Sequence, residues 1–372
     1  MVKIYNSVKY NEKSCLGAAV DAVVDLIKNI PSIENPTFIP YEFVVSDYRI
    51  DAGLEFDHRN SKYTLIIEVV LRGEPRQVRN KVYKLKSYIA DLEQSKQDKK
   101  SRQYIPMVVS DYLSPESRRI CSEHKLAYLD LQGNASLVFD NVYIEKSTTS
   151  KPKAEKRTLK SLFSPKAGAI LRVLLNNPNY AWRMANLAAE AKASLGHVSN
   201  VRKKLLDREW IEIRQEGIVL TQPDSLLKSW RENYQQPSGE IFRGYTTLHG
   251  DQLINRLVGT LGIEQESPLA ILSSNSAAQW LAPFLRDFTQ TFYADKFGAD
   301  ILEKKLDLKR TESGANVIIH ILKEDCYFDG AIQPKPGIYC TAPILTYLDL
   351  WNGNDRSREA ADFLAGKYFP WL

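Results

Sequence analysis

Cysteine is scarce in this chain, and the few present are badly placed for metal or disulfide work. Cys15, Cys121, Cys326 and Cys340 are the only four in 372 residues, and none lies in a C-x-x-C pair. That excludes a cysteine framework and points to reduced thiols in a cytoplasmic protein. The five histidines, at positions 58, 124, 197, 249 and 320, show no zinc-type spacing. No apolar run reaches about 18 residues, so no membrane span is expected. No G-x-x-x-x-G-K-S/T loop occurs, which removes the usual signal for a nucleotide phosphate site. Charge of one sign is also missing. The 50 basic and 45 acidic residues leave a net charge of +5, too little to establish nucleic-acid binding. The first residues, MVKIYNSVKYNEK, do not read as a signal peptide.

What is present fits a multidomain α/β protein. A length of 372 residues suggests two or three domains, and 44% hydrophobic residues can fill real cores. Basic residues cluster at 96–102 (KQDKKSR), 151–160 (KPKAEKRTLK) and 202–204 (RKK). The first cluster reads as a solvated loop. The second reads equally as a soluble tether or as a source of phosphate contacts. The expected divisions are a first domain over 1–145, a basic linker over 146–164, a helical module over 165–230 and a second α/β domain over 245–372.

Residues 165–222 carry the most specific pattern. An apolar helix through Ile170, Leu171, Val173, Leu174 and Leu175 comes first. An Ala-rich helix follows from Arg183 to Ala191, then a tight turn at Lys192–Ala193. A third helix starts behind the N-cap residue Ser194 and ends near Arg208. Two short strands then flank a turn at Gln215–Glu216–Gly217. Three helices and a hairpin in this order form a winged helix-turn-helix. At about 100° per residue, Leu195, Val198, Val201, Leu205 and Leu206 share one face of the third helix. The opposite face carries Gly196, Asn200, Lys203, Lys204 and the acidic Asp207, flanked by His197 and Ser199. Asn suits adenine edges, and Lys suits guanine or phosphate. All of these but Asp207, with Arg214 and Gln215 on the wing, are the expected contacts to double-stranded DNA. Arg202 falls in the apolar arc and is expected to snorkel. The alternative is a three-helix module that binds protein.

Over residues 1–145, helix and strand alternate. The apolar helix Cys15–Ile30 is closed by Pro31. Strands are expected at Arg49–Phe56 and Tyr63–Leu71, joined by a turn at 58–62. A long amphipathic helix spans Glu74–Leu92. Strands at Ile105–Val109 and Leu126–Leu131 bracket a helix over Pro115–His124, and Gly133–Asn134 turns into Ser136–Phe139. Asp51 lies near the start of one strand and Glu68 in the middle of the next. This order resembles the restriction-endonuclease-like, PD-(D/E)XK, fold over roughly residues 10–145. The resemblance implies that Asp51 and Glu68 hold magnesium for phosphodiester cleavage. The family's lysine, two residues after the glutamate, is replaced here by Val70, so the domain reads as a degenerate nuclease fold kept for DNA contact or assembly, with Asp51 and Glu68 vestigial rather than catalytic. Arg72 and Lys81 are nearby substitutes, and Gln77 matches a residue some members use. The competing reading is structural: Asp51 caps a turn, Glu68 pairs with Arg72, and Asp130 belongs to a strand and hairpin turn. No cofactor is expected, and magnesium enters only with the nuclease alternative.

The last third alternates again from near Thr246. Strands are expected at Leu269–Leu272, Gln290–Ala294, Val317–Leu322 and Tyr339–Thr341. Helices are expected at Ala277–Leu285, Ile344–Leu350 and Ser357–Lys367. Ser273–Ser274 with Ala277–Ala278, Phe292–Tyr293, Tyr347–Leu348–Asp349–Leu350, Arg356 and Arg358–Glu359–Ala360–Ala361 carry a second resemblance. Over about residues 165–370 the chain resembles the AbiEi-type antitoxins of type IV toxin–antitoxin systems. That implies a bacterial DNA-binding regulator that represses its own operon and neutralises a nucleotidyltransferase-like toxin. A homodimer is expected, since paired half-sites multiply specificity. The alternatives are a metal-dependent endonuclease targeted by the winged helix, and an antitoxin acting through protein contact alone. Asp349 and Arg356 read as a helix-end ion pair.

Overall fold

The computed structural model describes residues 12–40, 50–94, 102–258, 270–284 and 287–372. The segment 1–11, most of the basic cluster 96–102, and the expected strand or helix ends at Arg49, Leu269 and Leu285 lie outside the described residues. No helix among the described residues is long and apolar enough to cross a membrane. Two compact units separate: Met1–Thr158 with Leu205–Glu209, and Leu159–Lys204 with Trp210–Leu372.

The first unit is built on a seven-stranded sheet in sequential order, β1 to β7. Helix α1 (Glu12–Lys28) leads into β1 (Ile33–Pro40), β2 (Ala52–His58) and β3 (Ser61–Val70). Helix α2 (Pro75–Gln94) crosses to β4 (Arg102–Ser110), and α3 (Pro115–Glu123) crosses to β5 (Ala127–Asp130). Strands β3, β4 and β5 are parallel, as such crossovers require. Strands β6 (Ala135–Phe139) and β7 (Val142–Lys146) close the sheet in antiparallel fashion.

The period-2 alternation of β3 sorts its residues between two layers. Tyr63, Leu65 and Ile67 join Ala19, Val23 and Ile27 of α1 on one face. Ile66 and Val70 join Val78, Val82, Leu85 and Tyr88 of α2 on the other. Glu68 lies between Ile66 and Val70 in that alternation, so the strand's own geometry aims it at α2. Strands β1 and β7 were not expected. Asn35 and Pro36 interrupt β1, whose register shifts between Glu34 and Thr37. Helix α4 (Lys153–Leu162) occupies part of the stretch read as a linker, with Leu159 and Leu162 buried.

The second unit opens with α5 (Pro165–Asn176), α6 (Met184–Glu190) and α7 (Leu195–Asp207), followed by the hairpin of β8 (Ile211–Ile213) and β9 (Ile218–Leu220). Helix α8 (Pro223–Asn233) buries Leu226, Leu227 and Trp230. A mixed sheet then begins at β10 (Gly239–Tyr245), earlier than the alternation near Thr246 implied. Helix α9 (Gly250–Val258), β11 (Ala270–Leu272), α10 (Ser274–Leu281), β12 (Gln290–Ala294) and α11 (Lys296–Lys305) follow. The rest is β13 (Lys309–Arg310), β14 (Val317–Leu322), β15 (Ile332–Lys335), β16 (Ile338–Cys340), α12 (Pro343–Trp351) and α13 (Asp355–Tyr368). The sheet order is β13-β10-β14-β12-β11-β16-β15. Helix α12 is apolar nearly all round, and Pro343 to Leu350 are all buried, as such a composition demands. It packs between α10 and α13.

Candidate nucleic-acid interface and carboxylate site

Helix α7 owes its entry geometry to two residues. Lys192 adopts a left-handed φ of 48°, which turns the chain sharply after α6. Ser194 then caps α7, its Oγ accepting the His197 N–H at 3.2 Å. Val198, Val201 and Leu205 are buried, and Leu206 is half-buried. Leu195 departs from the expected face, being 56% exposed. It is the first residue of the helix and lies beyond the end of the core that Val198 enters.

Gly196, Asn200 and Lys203 are exposed, while His197, Ser199 and Arg202 are half-buried. Lys204 is half-buried as well, and its ammonium donates to Ser161 Oγ at 2.8 Å. The outer face is therefore narrower than the sequence suggested, with Asn200 and Lys203 as its most open polar groups. Arg214 and Gln215 stand exposed at the tip of the hairpin. Arg214 pairs with Glu212 at 2.9 Å, an exposed pair worth under about 1 kcal/mol and readily exchanged.

A third strand segment anchors the hairpin. Trp182 exchanges two backbone hydrogen bonds with Ile218, each 2.8 Å. Gly217 has φ +152°, and a Cβ there would stand 2.5 Å from the Trp182 carbonyl oxygen. Only glycine fits that position. The Gly in Gln215–Glu216–Gly217 was legible as a turn residue, but the Trp182 pairing was not.

In the first unit, Glu68 is fully buried and both its oxygens are engaged. Lys81 donates to Oε2 and Lys84 to Oε1. The two lysines stand three residues apart on α2, one turn along the face that covers β3. Lys81 also lies 3.7 Å from Asp51, whose Oδ2 accepts the Val69 N–H at 2.8 Å. Burial pushes the Glu68 carboxyl above its ordinary range, against the pull of both lysines. Burial opposes the charge on Lys81, yet Glu68 and Asp51 leave its pKa raised.

Val70 is a core residue, and Arg72 is exposed rather than paired with Glu68. The structural pairing expected for Glu68 is made by Lys81 and Lys84 instead. Gln77 is half-buried. Asp130 organises its turn, accepting from Leu113 N, Gln132 N, Asn134 N and Asn134 Nδ2 at 2.8–3.0 Å. Among the described residues, no cluster of three or more acidic, histidine or cysteine side chains is placed to hold a metal ion. Two ammonium groups already neutralise the two carboxylates, so this donor set does not fit magnesium as it stands.

A second buried carboxylate lies in the C-terminal sheet region. Asp349 is 1% exposed, and its Oδ1 accepts the hydroxyls of Tyr234 and Tyr293, each at 2.7 Å. Burial pushes its pKa up to about 6, partly offset by the two tyrosines and by the Ser274 N–H. The expected Asp349–Arg356 ion pair does not form, because Asp349 points into the core while Arg356 is exposed. Arg358 serves the helix junction instead, donating to the Trp351 carbonyl at 3.2 Å. Tyr234 was missed, since it follows α8 in a stretch that reads as a polar connection.

Tyr293 and the 347–350 segment are thus joined through one carboxylate, and both belong to the set of residues that carried the second resemblance. Residues 219–369 match the family described as transcriptional regulator, AbiEi antitoxin, type IV toxin–antitoxin system. Over these residues the chain is similar to that family. The AbiEi match begins inside β9, so α5, α6 and α7 precede it. Comparison with curated proteins gives no match.

Among solved structures, a complex of EndoMS with double-stranded DNA is 18% identical with a TM-score of 0.22. A repair endonuclease from Pyrococcus abyssi is 13% identical, also at 0.22. Each match covers 33% of this chain and 49% of the other, so the likeness spans about half the length of those proteins. Scores this low assign nothing.

Proposed function

We propose that the protein is a sequence-specific DNA-binding transcriptional regulator of the AbiEi antitoxin type. In this reading α5, α6, α7 and the β8–β9 hairpin form a winged helix-turn-helix. Helix α7 enters the major groove, with Asn200 and Lys203 on base edges, His197, Ser199 and Gly196 close to the duplex, and Lys204 at its margin. Arg214 and Gln215 supply the wing contacts. The protein represses its own operon as a homodimer, and its AbiEi segment neutralises a nucleotidyltransferase-like toxin. The observation that carries the reading is the exposed pair Asn200 and Lys203, one turn apart on a helix whose opposite face is buried. The family match to a transcriptional regulator supports it.

The test is retardation of DNA taken from upstream of the protein's own coding sequence. Each good base contact is worth about 1–3 kcal/mol of discrimination. Asn200→Ala with Lys203→Ala should therefore abolish the specific complex at concentrations that saturate the wild type. Undiminished specific binding by the double variant refutes the reading.

One observation favours a second reading, a DNA endonuclease. Lys81 supplies from α2 the lysine that Val70 lacks, beside Asp51 and Glu68. Supercoiled plasmid incubated with the protein and magnesium or manganese discriminates between the two. The regulator reading expects no nicking. Nicking that disappears in Glu68→Ala establishes the second.

A further inference from the structure

Helix α4 has two sharply different sides. At about 100° per residue, Glu155, Thr158, Leu159 and Leu162 share an arc of roughly 100°, and these are its half-buried and buried residues. Lys153, Lys156, Arg157 and Lys160 fall together within about 100° on the opposite side. All four are exposed. None has an acidic partner among the described residues, and the helix's one acidic residue, Glu155, stands on the other side. A solvated helix surface ordinarily mixes both signs of charge. Four cations with no counter-charge form a surface complementary to a polyanion.

The end of the same helix adjoins α7. Ser161, beside the cationic arc, accepts the hydrogen bond from Lys204 at 2.8 Å. Lys204 follows Lys203 on the helix proposed to read bases. We infer that the exposed side of α4 is a second DNA contact, which grips a phosphodiester backbone. This inference rests on the DNA-binding reading and extends it. The stripe adds affinity without sequence preference, because phosphates are alike at every base pair.

Counterion release makes the inference quantitative. Each phosphate contact contributes about 0.9 to the slope of log Kobs against log salt. The variant Lys153→Gln, Lys156→Gln, Arg157→Gln, Lys160→Gln keeps good helix formers at exposed positions. Two labelled probes are used with it: the upstream DNA of the coding sequence, and a random duplex of equal length. The slope should fall by about 3 to 4 on both probes. Between about 50 and 200 mM salt, the variant should lose roughly a hundredfold less affinity than the wild type. Its preference for the upstream DNA should persist. The pair Lys156→Gln, Lys160→Gln should show about half the change, which keeps the test intact if the fourfold variant folds poorly.

A slope within about 1 of the wild type on both probes overturns the inference, whatever protein or RNA the stripe then proves to bind. If the Asn200 and Lys203 variant loses its preference while the α4 variant keeps the wild-type slope, the proposed function stands and this inference alone falls. Failure of the wild type to bind either probe overturns both.

Discussion

Tyr293 donates its hydroxyl to Asp349 across 2.7 Å, and Tyr234 donates to the same oxygen at the same distance. The carboxyl they share is held in the core of the C-terminal sheet region with a pKa of about 6, raised by burial from an ordinary 3.8. A raised folded-state pKa means that the folded protein takes up this proton more readily than the unfolded chain. Its stabilising contribution is full below about pH 4 and disappears as the pH rises through 6. Asp349→Asn keeps an acceptor for both tyrosines and removes the titration. Relative to the wild type, the variant should gain about 3 kcal/mol between pH 4 and pH 7. Urea unfolding across that range reads the difference, and parallel curves for the two proteins would contradict the assignment.

Glu68 depends on two cations rather than one. Lys81→Met should be tolerated, because Lys84 still reaches the carboxylate. Lys81→Met with Lys84→Met leaves a buried charge without a partner, at a cost of about 3–5 kcal/mol. The stranded carboxyl then takes up a proton more readily, so the double variant should be closer to wild-type stability at pH 5 than at pH 7.5. Equal deficits at both pH values would show that Glu68 is not the group responsible.

Gly217→Ala places a methyl group 2.5 Å from the Trp182 carbonyl oxygen at a φ few L residues adopt. The substitution should cost about 1–3 kcal/mol and loosen the hairpin. A lowered melting temperature, with the Trp182 and Ile218 amides exchanging faster than in the wild type, is the expected result. An unchanged melting temperature would mean that the hairpin relaxes freely away from Trp182.

Gly196→Ala should do the opposite. Among the described residues, no atom beyond the helix's own backbone and the chain neighbours lies within 4 Å of the added Cβ, and alanine favours a helix over glycine by up to about 1 kcal/mol. The free protein should melt at a higher temperature. Weaker DNA binding by this more stable variant would place the α7 backbone close against the duplex.

Helices with a strong apolar period were readable from sequence, and so was Glu68, which stands alone among apolar neighbours in β3. Lys81 was named from sequence, beside Arg72, as a cation near Glu68, and it does pair with that carboxylate. Lys84 was not, although it lies one turn further along the same face of α2 and a helical projection would have paired it with Glu68. Strand β1 was hidden because Asn35 and Pro36 mimic a turn inside it. Strand β10 was hidden because GEIFRGY buries only Phe242 and Gly244, leaving no clear alternation of apolar side chains. Tyr234 and Asp349 lie 115 residues apart in the chain, a separation that local pattern cannot bridge. Leu195 shows the converse limit, since helical phase alone does not reveal where a core ends.

The two backbone hydrogen bonds between Trp182 and Ile218 set the order in which freedom is lost. A hairpin of two three-residue strands is too short to hold its own shape in water. Tied to the segment ahead of α6, it surrenders its conformational freedom during folding, at about 1–2 kcal/mol per residue for the backbone. Little remains to be surrendered at an encounter. Any partner that meets this hairpin meets a rigid edge, so the discrimination between partners should appear in how long they stay rather than in how fast they arrive.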